Sequence, residues 1–493
     1  MADRTVGSQA GSQVGSQHVV RILGDWRSGG GTAYTALASA VRMLILDGRL
    51  PLHVRLPAER PLAVALGVSR TTVTTAYEQL RAEGYLRSRQ GSGSWTALPA
   101  DRRRTSEQAP WAPADPAEPA GGRLIDLAQA TVPAPEGALP QAVEAAVAEL
   151  PRYLPTHGYD PVGLPELRDV VARRYSARGL PTTPDDILVT NGAQHAFTLI
   201  LGLLTGPGDR VLVEHPTYPN ALDAVRKTGR RLVPVGMDAG GWDLEAMRAA
   251  MRQAAPRVAY LIPDFHNPTG LCLRDGGRAV LAELGRTTGT PLVVDETLAE
   301  LWLDDAPPPP VAAHDRAGAV LTVGSVSKTF WGGLRIGWIR AEPETRRRLA
   351  ALRATLDMGT PLLEQLISAR LLAGAEAVLG PRRAELRRRR DVFVAALRRA
   401  LPDWRVDPPD GGLSLWVELP APVSTALVFA AEARGVRLVA GPRFGLDGAF
   451  ERFLRLPYTQ PEPVLLEAVV RLADAYAAAV AGPAERSAAV PVT

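Results

Sequence analysis

The lysines of this chain limit where amine chemistry can take place. Of 56 basic side chains, only Lys227 and Lys328 are lysines. Lys227 falls at the polar end of an amphipathic segment, which is typical of a surface position. Lys328 follows an apolar run that predicts a strand, with Ser325 and Ser327 before it and Arg335 seven residues after it. An amine that can form an imine, beside hydroxyls and an arginine that can hold a dianionic phosphate, is the set of groups that pyridoxal phosphate requires.

Two further charged residues are predicted in apolar surroundings, where a charge is costly unless it is paired. Asp295 ends the apolar run 291–294, and a protonated pyridine nitrogen would be a suitable cation for its carboxylate. Arg455 stands between two leucines, and the carboxylate of a substrate would justify its burial. Ordinary ion pairs remain the alternative for both Asp295 and Lys328, and Lys328 could also lie at the surface end of a strand.

Three polar motifs could complete such a site, although each is weak alone. The run Asn191, Gly192, Ala193 and Gln194 opens a predicted helix, so its N–H groups can receive phosphate or form a plain helix cap. Asn267 is followed by a turn pair and could form no more than an Asx-turn. Tyr218 could cover the face of a ring or fill the core.

These residues need a scaffold, and the pattern of the sequence predicts one. Short apolar runs alternate with longer amphipathic segments, which predicts an α/β fold with a mostly parallel sheet covered by helices on both faces. The expected strands are 187–190, 210–214, 258–263, 291–295, 320–324 and 335–340. After about residue 385, strands over 413–419, 436–440 and 453–456 predict a smaller α+β domain.

The amino-terminal part predicts a winged helix-turn-helix. Apolar periodicity and stop signals predict helices over 33–47, 58–66 and 69–84, the last with Ser69 as its N-cap. Segments 85–89 and 94–98 flank a Gly-rich turn and predict a two-stranded wing.

In such a motif the second helix enters the major groove of DNA, where arginine, hydroxyl and N–H groups contact bases and phosphates. The residues expected to contact DNA are Arg60, Ser69, Arg70, Thr71 and Thr72 and, on the wing, Arg87 and Arg89. Residues 33–98 hold eight arginines against four acids, a surplus of four that equals the net charge of the whole chain. A helical adaptor with a solvated basic face is the alternative.

The segments 57–60, 66–70, 82–85 and 91–93 resemble the winged helix of GntR-type bacterial regulators, and the resemblance covers residues 33–98. It implies that Arg60, Arg70, Thr71 and Thr72 contact DNA.

The motifs around Lys328, taken together in order and spacing, resemble class I/II aminotransferases of pyridoxal phosphate fold type I over about residues 123–482. Their fusion to a GntR-like head resembles the MocR regulators. The resemblance implies Lys328 as the internal aldimine, Asp295 on the pyridine nitrogen, Asn267 on the ring hydroxyl and Arg455 on the carboxylate of an amino acid. It implies Tyr218 stacked on the ring and, around the phosphate, Gly192, Ala193, Gln194, Ser325, Ser327, Arg335 and, from the neighbouring subunit, Tyr159. The family has a tyrosine soon after the aspartate where this chain has Thr297, so transamination is expected to be weak.

Length and composition indicate several domains in one chain of 493 residues. The expected division is a disordered tail and lead-in over 1–32, the DNA-binding domain over 33–98, a linker over 99–122, the aminotransferase-like domain over 123–482 and a tail over 483–493. No apolar run approaches the roughly 20 residues that cross a bilayer, and the amino terminus lacks the apolar core of a signal peptide. A cytoplasmic location is expected. The single cysteine, Cys272, excludes an internal disulfide and a cysteine-based zinc cluster.

The sequence therefore predicts a regulator, active as a homodimer on double-stranded operator DNA, whose aminotransferase-like domain senses an amine, an amino acid or pyridoxal phosphate itself. Two alternatives stay open at this point. One is a working aminotransferase with an appended DNA-binding head, and the other is a DNA-binding scaffold with an inactive pyridoxal phosphate fold.

Overall fold

The computed structural model describes residues 14–24, 26–28, 32–52, 54–89, 93–99, 124–238 and 240–481. Most of the predicted linker 99–122, the predicted tail 483–493 and the tip of the wing, residues 90–92, lie outside the described residues. The described residues form an amino-terminal head, residues 14–99, and a larger two-part body, and the head has an apolar core of its own.

The head is a winged helix-turn-helix. Its elements are α1 (Ser16–Leu23), α2 (Ala33–Leu46), α3 (Glu59–Leu66), α4 (Arg70–Ala82), β1 (Leu86–Arg89) and β2 (Gly93–Thr96). Gly67 ends α3 in the left-handed conformation, with φ of 65°, and turns the chain directly into α4. The side chain of Ser69 accepts a hydrogen bond from the N–H of Thr72, as an N-cap does. β1 and β2 pair antiparallel and form the wing.

One sequence prediction for the head is wrong. Residues 16–23 fall in the predicted disordered tail and lead-in over 1–32, yet they form a helix. Val19, Ile22 and Leu23 are buried in the core of the head, and α1 packs on α3. Three apolar residues at helical spacing cover a single turn, which is too short a pattern to predict a helix without the surface that it covers.

The large domain of the body is built around a mixed sheet. Its strands in the described part of the chain, after the short β3 (Ile125–Asp126), are β4 (Ile187–Thr190), β5 (Arg210–His215), β6 (Arg231–Asp238), β7 (Gly241–Trp242), β8 (Val258–Leu261), β9 (Leu292–Asp295), β10 (Val320–Ser325) and β11 (Gly337–Arg340). The helices are α5 (Ala138–Glu149), α6 (Pro165–Ala177), α7 (Ala193–Leu204), α8 (Pro219–Lys227), α9 (Leu244–Ala254), α10 (Asp275–Thr288), α11 (Pro343–Arg353) and α12 (Leu362–Ala373).

The strand order across this sheet is β4-β11-β10-β9-β8-β5-β6-β7. The five strands from β10 to β6 run parallel, whereas β11 runs antiparallel to both of its neighbours. β8 and β10, in the middle of the sheet, are buried along their whole length, as expected where helices cover both faces. The predicted fold class is confirmed. The strand expected over 335–340 begins only at Gly337, because Arg335 has a left-handed backbone, with φ of 54°.

The small domain closes the chain. Its elements are α13 (Ala375–Ala400), β12 (Arg405–Val406), β13 (Ser414–Glu418), α14 (Ser424–Glu432), β14 (Val436–Arg437), β15 (Val439–Ala440), β16 (Phe453–Pro457) and α15 (Glu462–Ala481). The strand predicted over 436–440 is divided, because β14 pairs with β3 while β15 pairs with β16. The chain thus changes sheets at Leu438, which is buried between them.

Candidate functional site

A cavity of about 220 Å³ lies at the carboxyl edge of the parallel strands, where the large and small domains meet. Ten of the sequence-predicted residues line it: Ala193, Gln194, Tyr218, Asn267, Asp295, Ser325, Ser327, Lys328, Arg335 and Arg455. β9 ends at Asp295 and the adjacent β10 ends at Ser325, so neighbouring parallel strands deliver their polar ends to one place. The fold therefore brings together residues that are far apart in the sequence.

Lys328 is half-buried in the wall of this cavity. Its Nζ donates a hydrogen bond to the backbone carbonyl of Ala130 at 2.9 Å, and not to a carboxylate as the ion-pair alternative requires. Burial lowers the pKa of Lys328 to about 8, and the positive charges of Arg455 and Arg335 act in the same direction. The amine is thus closer to its nucleophilic, neutral form than an ordinary lysine. Lys227 is exposed at the end of α8.

Asp295 is held by hydroxyl and amide donors. Tyr260, on β8, donates from its hydroxyl to Oδ2 at 2.7 Å. The backbone N–H of Thr297 donates to Oδ1 at 2.9 Å, and the Thr297 hydroxyl donates to the same oxygen. None of these donors carries a positive charge, and Asp295 forms no salt bridge with an arginine in the part of the chain that the structure describes.

The Thr297 hydroxyl is therefore engaged as a hydrogen-bond donor to Asp295. The next residue, Leu298, lines the cavity and has no hydroxyl. Neither residue offers a free hydroxyl to the cavity, and the expectation that transamination is weak stays a prediction.

The amino end of α7 faces the same cavity. No side chain caps this helix, and Gly192 precedes it with φ of 87°. A Cβ at position 192 would lie 2.9 Å from the guanidinium of Arg335, so glycine allows the arginine to rest against the helix start. The helix N–H groups and the arginine form a site that suits a dianion. Ser325 donates to the carbonyl of Ile336 at 2.8 Å, and Ser327 lies beside it, 3.0 Å between the two hydroxyl oxygens.

Arg455 reaches the other end of the cavity from β16 and is only 8% exposed. Its guanidinium donates to the carbonyl of Ala128 and lies 5.0 Å from the ring centre of Phe444. Its Nε is buried with no hydrogen-bond partner among the described residues. Burial lowers the pKa of Arg455 to about 10. A buried cation held by a carbonyl and a ring is suited to receive a carboxylate.

Sequence reasoning missed several residues of this site. Tyr260 lines the cavity, and its hydroxyl in an otherwise apolar strand was an available signal. His266 also lines it, with Nε2 3.2 Å from the buried carboxylate of Glu214. Segment 128–131 contributes the two carbonyls that bind Arg455 and Lys328, and backbone carbonyls carry no signal in the residue types.

Tyr159 is the predicted residue that the structure does not bring to the cavity of its own chain. It is 61% exposed and stacks on His157, with ring centres 5.9 Å apart. Its role on the phosphate of a neighbouring subunit stays a prediction.

The head presents its predicted DNA contacts at the starts of α3 and α4 and on the wing. Arg60, Arg70 and Thr71 are exposed, and so is Arg87 on β1. The hydroxyls of Ser69 and Thr72 lie 2.8 Å apart at the cap of α4, so both already serve the helix. The side chain of Arg89 lies outside the described residues.

Comparison with known proteins follows this division of the chain. Residues 123–472 match the family "Aminotransferase class I and II", and residues 33–95 match "Bacterial regulatory proteins, gntR family". The uncharacterized HTH-type transcriptional regulator YdcR of Escherichia coli is 30% identical over 86% of this chain and 94% of its own length. The probable rhizopine catabolism regulatory protein MocR of Rhizobium meliloti is 31% identical over 81% of this chain and 84% of its own length. The chain belongs to the MocR-type regulators of the class I and II aminotransferase family.

A solved structure supports the same assignment for the body. The α-aminoadipate aminotransferase LysN of Thermus thermophilus, complexed with N-(5′-phosphopyridoxyl)-L-leucine, is 31% identical with a TM-score of 0.67, over 73% of this chain and 93% of its own. This MocR-type chain is thus a transcriptional regulator with an aminotransferase-like domain, and its family implies pyridoxal 5′-phosphate as cofactor.

The residues present fit that cofactor. The cavity combines one amine, one carboxylate and one helix start with an adjacent arginine. The Oδ1 atom of Asn267 is buried without a hydrogen-bond partner among the described residues, which leaves a polar group for the ring. Tyr218 lines the cavity, and its hydroxyl accepts a hydrogen bond from Asn220 at 2.9 Å.

Neither a membrane span nor a metal cluster is found in the part of the chain that the structure describes. No helix there is long and apolar enough to cross a bilayer. No group of three potential metal-binding side chains occurs among the same residues.

Proposed function

We propose that this MocR-type regulator binds operator DNA through its head and reads a small amine or amino acid in the cavity of its body. One observation carries the proposal: a single chain joins an exposed recognition helix to a cavity that holds Lys328 and a buried arginine, Arg455, with no carboxylate in salt-bridge contact among the described residues. Pyridoxal phosphate itself is the other small molecule that this cavity suits. We place the protein in the cytoplasm, where operator DNA is available.

Each end of the cavity has a role toward the cofactor. Lys328 is the side chain that would hold pyridoxal phosphate covalently, and Asp295 would keep its pyridine nitrogen protonated. Asn267 would meet the ring hydroxyl and Tyr218 the ring face. The groups around the phosphate would be the α7 start, Ser325, Ser327 and Arg335.

When bound, the cofactor supplies an electrophilic carbon that reacts reversibly with amines. Arg455 would orient an amino acid by its carboxylate.

The charge state of Lys328 gives a pH dependence. A lysine amine reacts only when it is neutral, so its lowered pKa increases the reactive fraction at neutral pH. At pH 7.5 about a quarter of an amine with pKa 8 is neutral, against roughly a thousandth of an ordinary lysine. We expect the rate at which cofactor-free protein takes up pyridoxal phosphate, followed by visible absorbance, to rise with pH around a midpoint near 8. In Arg455→Gln the midpoint should move to higher pH, and an unchanged midpoint would contradict the role of Arg455.

The arrangement of the exposed apolar residues supports a homodimer. Leu154, Tyr159, Leu356 and Met358 are all exposed, and the backbone of Gly359 packs against Asp160, which places two of these segments side by side. Exposed apolar surface that includes a residue expected to serve a neighbouring active site fits a second copy of this chain.

DNA binding is tested with fragments that full-length, cofactor-loaded protein selects from a random pool. Arg70→Ala should weaken binding roughly 5- to 150-fold, because one good arginine–base contact contributes about 1–3 kcal/mol. Arg347→Ala is the matched control, since Arg347 is an exposed arginine on α11 of the body. Sedimentation should show two chains on each bound duplex. An affinity that does not fall with salt would contradict phosphate contacts by the head.

Sensing is tested by adding amines and amino acids to the loaded protein. A single change in the visible spectrum that alters DNA affinity, without sustained production of a keto acid, is expected of a sensor. Continued keto acid production with a second acceptor would favour the working aminotransferase instead.

A further inference from the structure

The head contacts the body at α1, where His18 and Arg21 pair with Asp243, and at the end of α2 with the turn that follows, residues 46–49. The backbone N–H of Phe450, in the small domain, donates to the carbonyl of Leu46 at 2.8 Å. Gly48 has a φ of 70°, and a Cβ at this position would lie 2.2 Å from the ring of Phe450. The ring therefore occupies the space that any larger residue at position 48 would need.

The body holds this ring from the other side. The imidazole of His215 lies against it, with ring centres 4.6 Å apart. Nε2 of His215 accepts the N–H of Leu446 at 3.0 Å, which leaves the proton on Nδ1, 3.3 Å from the carbonyl of Gly48. Burial lowers the pKa of His215 to about 4, so this neutral form is the one present at neutral pH. The Phe450 ring of the small domain and His215 of the large domain thus both contact the head at this turn, where Arg452 also lies 3.7 Å from Asp47.

The segment that carries Phe450 also reaches the cavity. Phe444, six residues earlier, has its ring 5.0 Å from the guanidinium of Arg455. Trp416 packs against both rings, at 5.5 Å from Phe444 and 6.0 Å from Phe450. The carbonyl of Phe444 accepts the N–H of Thr217, whose neighbour Tyr218 lines the cavity. A contiguous set of packed rings therefore runs from the Arg455 end of the cavity to the head.

The backbone of Phe450 is itself unusual. Its φ is 72°, in the left-handed region that a bulky aromatic residue rarely adopts. Such a conformation persists only where its surroundings hold it, and it is found more often at functional and switch segments. The turn 46–49 and His215 are among those surroundings.

We propose that segment 441–453 transmits occupancy of the Arg455 end of the cavity to the head, and that the contact of Phe450 with Gly48 is the joint. The inference rests on the proposed function, because it requires that a ligand carboxylate binds at Arg455. A ligand whose carboxylate binds the Arg455 guanidinium also shifts the Phe444 ring that lies against it. The packed rings pass that shift to Phe450 and the turn 46–49.

The test compares DNA affinity in two loaded states of the full chain. One state carries pyridoxal phosphate, and the other carries N-(5′-phosphopyridoxyl)-L-leucine, which places a carboxylate in the cavity without requiring a known effector. The measured quantity is the ratio of the two dissociation constants for the selected DNA fragment. Wild type should give a ratio on the order of 5- to 150-fold, the usual range for coupled sites.

Two variants break the joint from opposite sides. Gly48→Ala introduces a methyl group where the ring lies, and Phe450→Leu removes the ring but keeps an apolar side chain. In both, the ratio should fall to near one, while loading with either compound is retained. Gly67→Ala is the matched control, since Gly67 has a similar φ of 65° in the head but open space around its Cβ, so its ratio should stay that of wild type.

The outcomes separate the two proposals. If wild type loads both compounds but its two dissociation constants for DNA are equal, the proposed sensing function fails. If wild type shows the ratio and either Gly48→Ala or Phe450→Leu keeps it, the joint is overturned. Thermal unfolding of each loaded variant identifies a variant that does not fold, and the remaining one then decides.

Discussion

Lys328→Ala is expected to yield a protein that stays colourless after incubation with pyridoxal phosphate and gel filtration. The cavity offers one amine, and Ala has none to form the covalent link. After borohydride reduction, mass spectrometry should show one phosphopyridoxyl group on the wild-type peptide that contains Lys328 and none on the variant peptide, because the imine forms with loss of water and is then reduced by two hydrogens. The expected loss is complete, which makes this the largest effect of any substitution considered.

Lys227→Ala provides the matched control because it removes the other lysine of the chain. Lys227 is exposed at the end of α8, so this variant should take up the cofactor as wild type does. Cofactor bound to the peptide around Lys227 would contradict the assignment. If Lys328→Ala still changed its DNA affinity on addition of an amino acid, the body would be a scaffold that reads its ligand without the cofactor.

Arg455→Gln is expected to weaken the response to amino acids by roughly 30-fold or more, since loss of one partner of a buried charge pair costs about 2–5 kcal/mol. The guanidinium is buried, and the partners it has among the described residues are a carbonyl and the Phe444 ring. A ligand carboxylate would therefore provide its counter-charge. The measurement is the concentration of amino acid that gives half of the visible spectral change in loaded protein.

The decarboxylated amine of the same amino acid is the control ligand. It lacks the group that Arg455 would bind, so wild type and Arg455→Gln should respond to it alike. Equal weakening for both ligands would show that the substitution disturbs the cavity as a whole. An unchanged response to the amino acid would place its carboxylate elsewhere.

Much of this site could be predicted from the sequence because the carboxyl ends of parallel strands lie at the same edge of a sheet. Asp295 and Lys328 each follow an apolar run, and neighbouring parallel strands bring such ends to one edge. Because the chain has only two lysines, Lys328 is conspicuous by residue type alone. The winged helix was equally accessible, because its caps and periodicity are local features. The family, the fold class and the cofactor predicted in this way are confirmed by the comparisons.

Only the tertiary structure decided how the charges of the cavity are held and how the head meets the body. Lys328 and Arg455 bind carbonyls of Ala130 and Ala128, residues 198 and 327 positions away in the chain. Every residue type has the same backbone carbonyl, so the residue types in the sequence do not indicate which carbonyls bind these two side chains. The contact of Phe450 with Gly48 depends in the same way on the packing of one folded unit against another. Local pattern predicts most of the elements, whereas a short helix such as α1 and the surfaces that the elements present to one another depend on the folded chain.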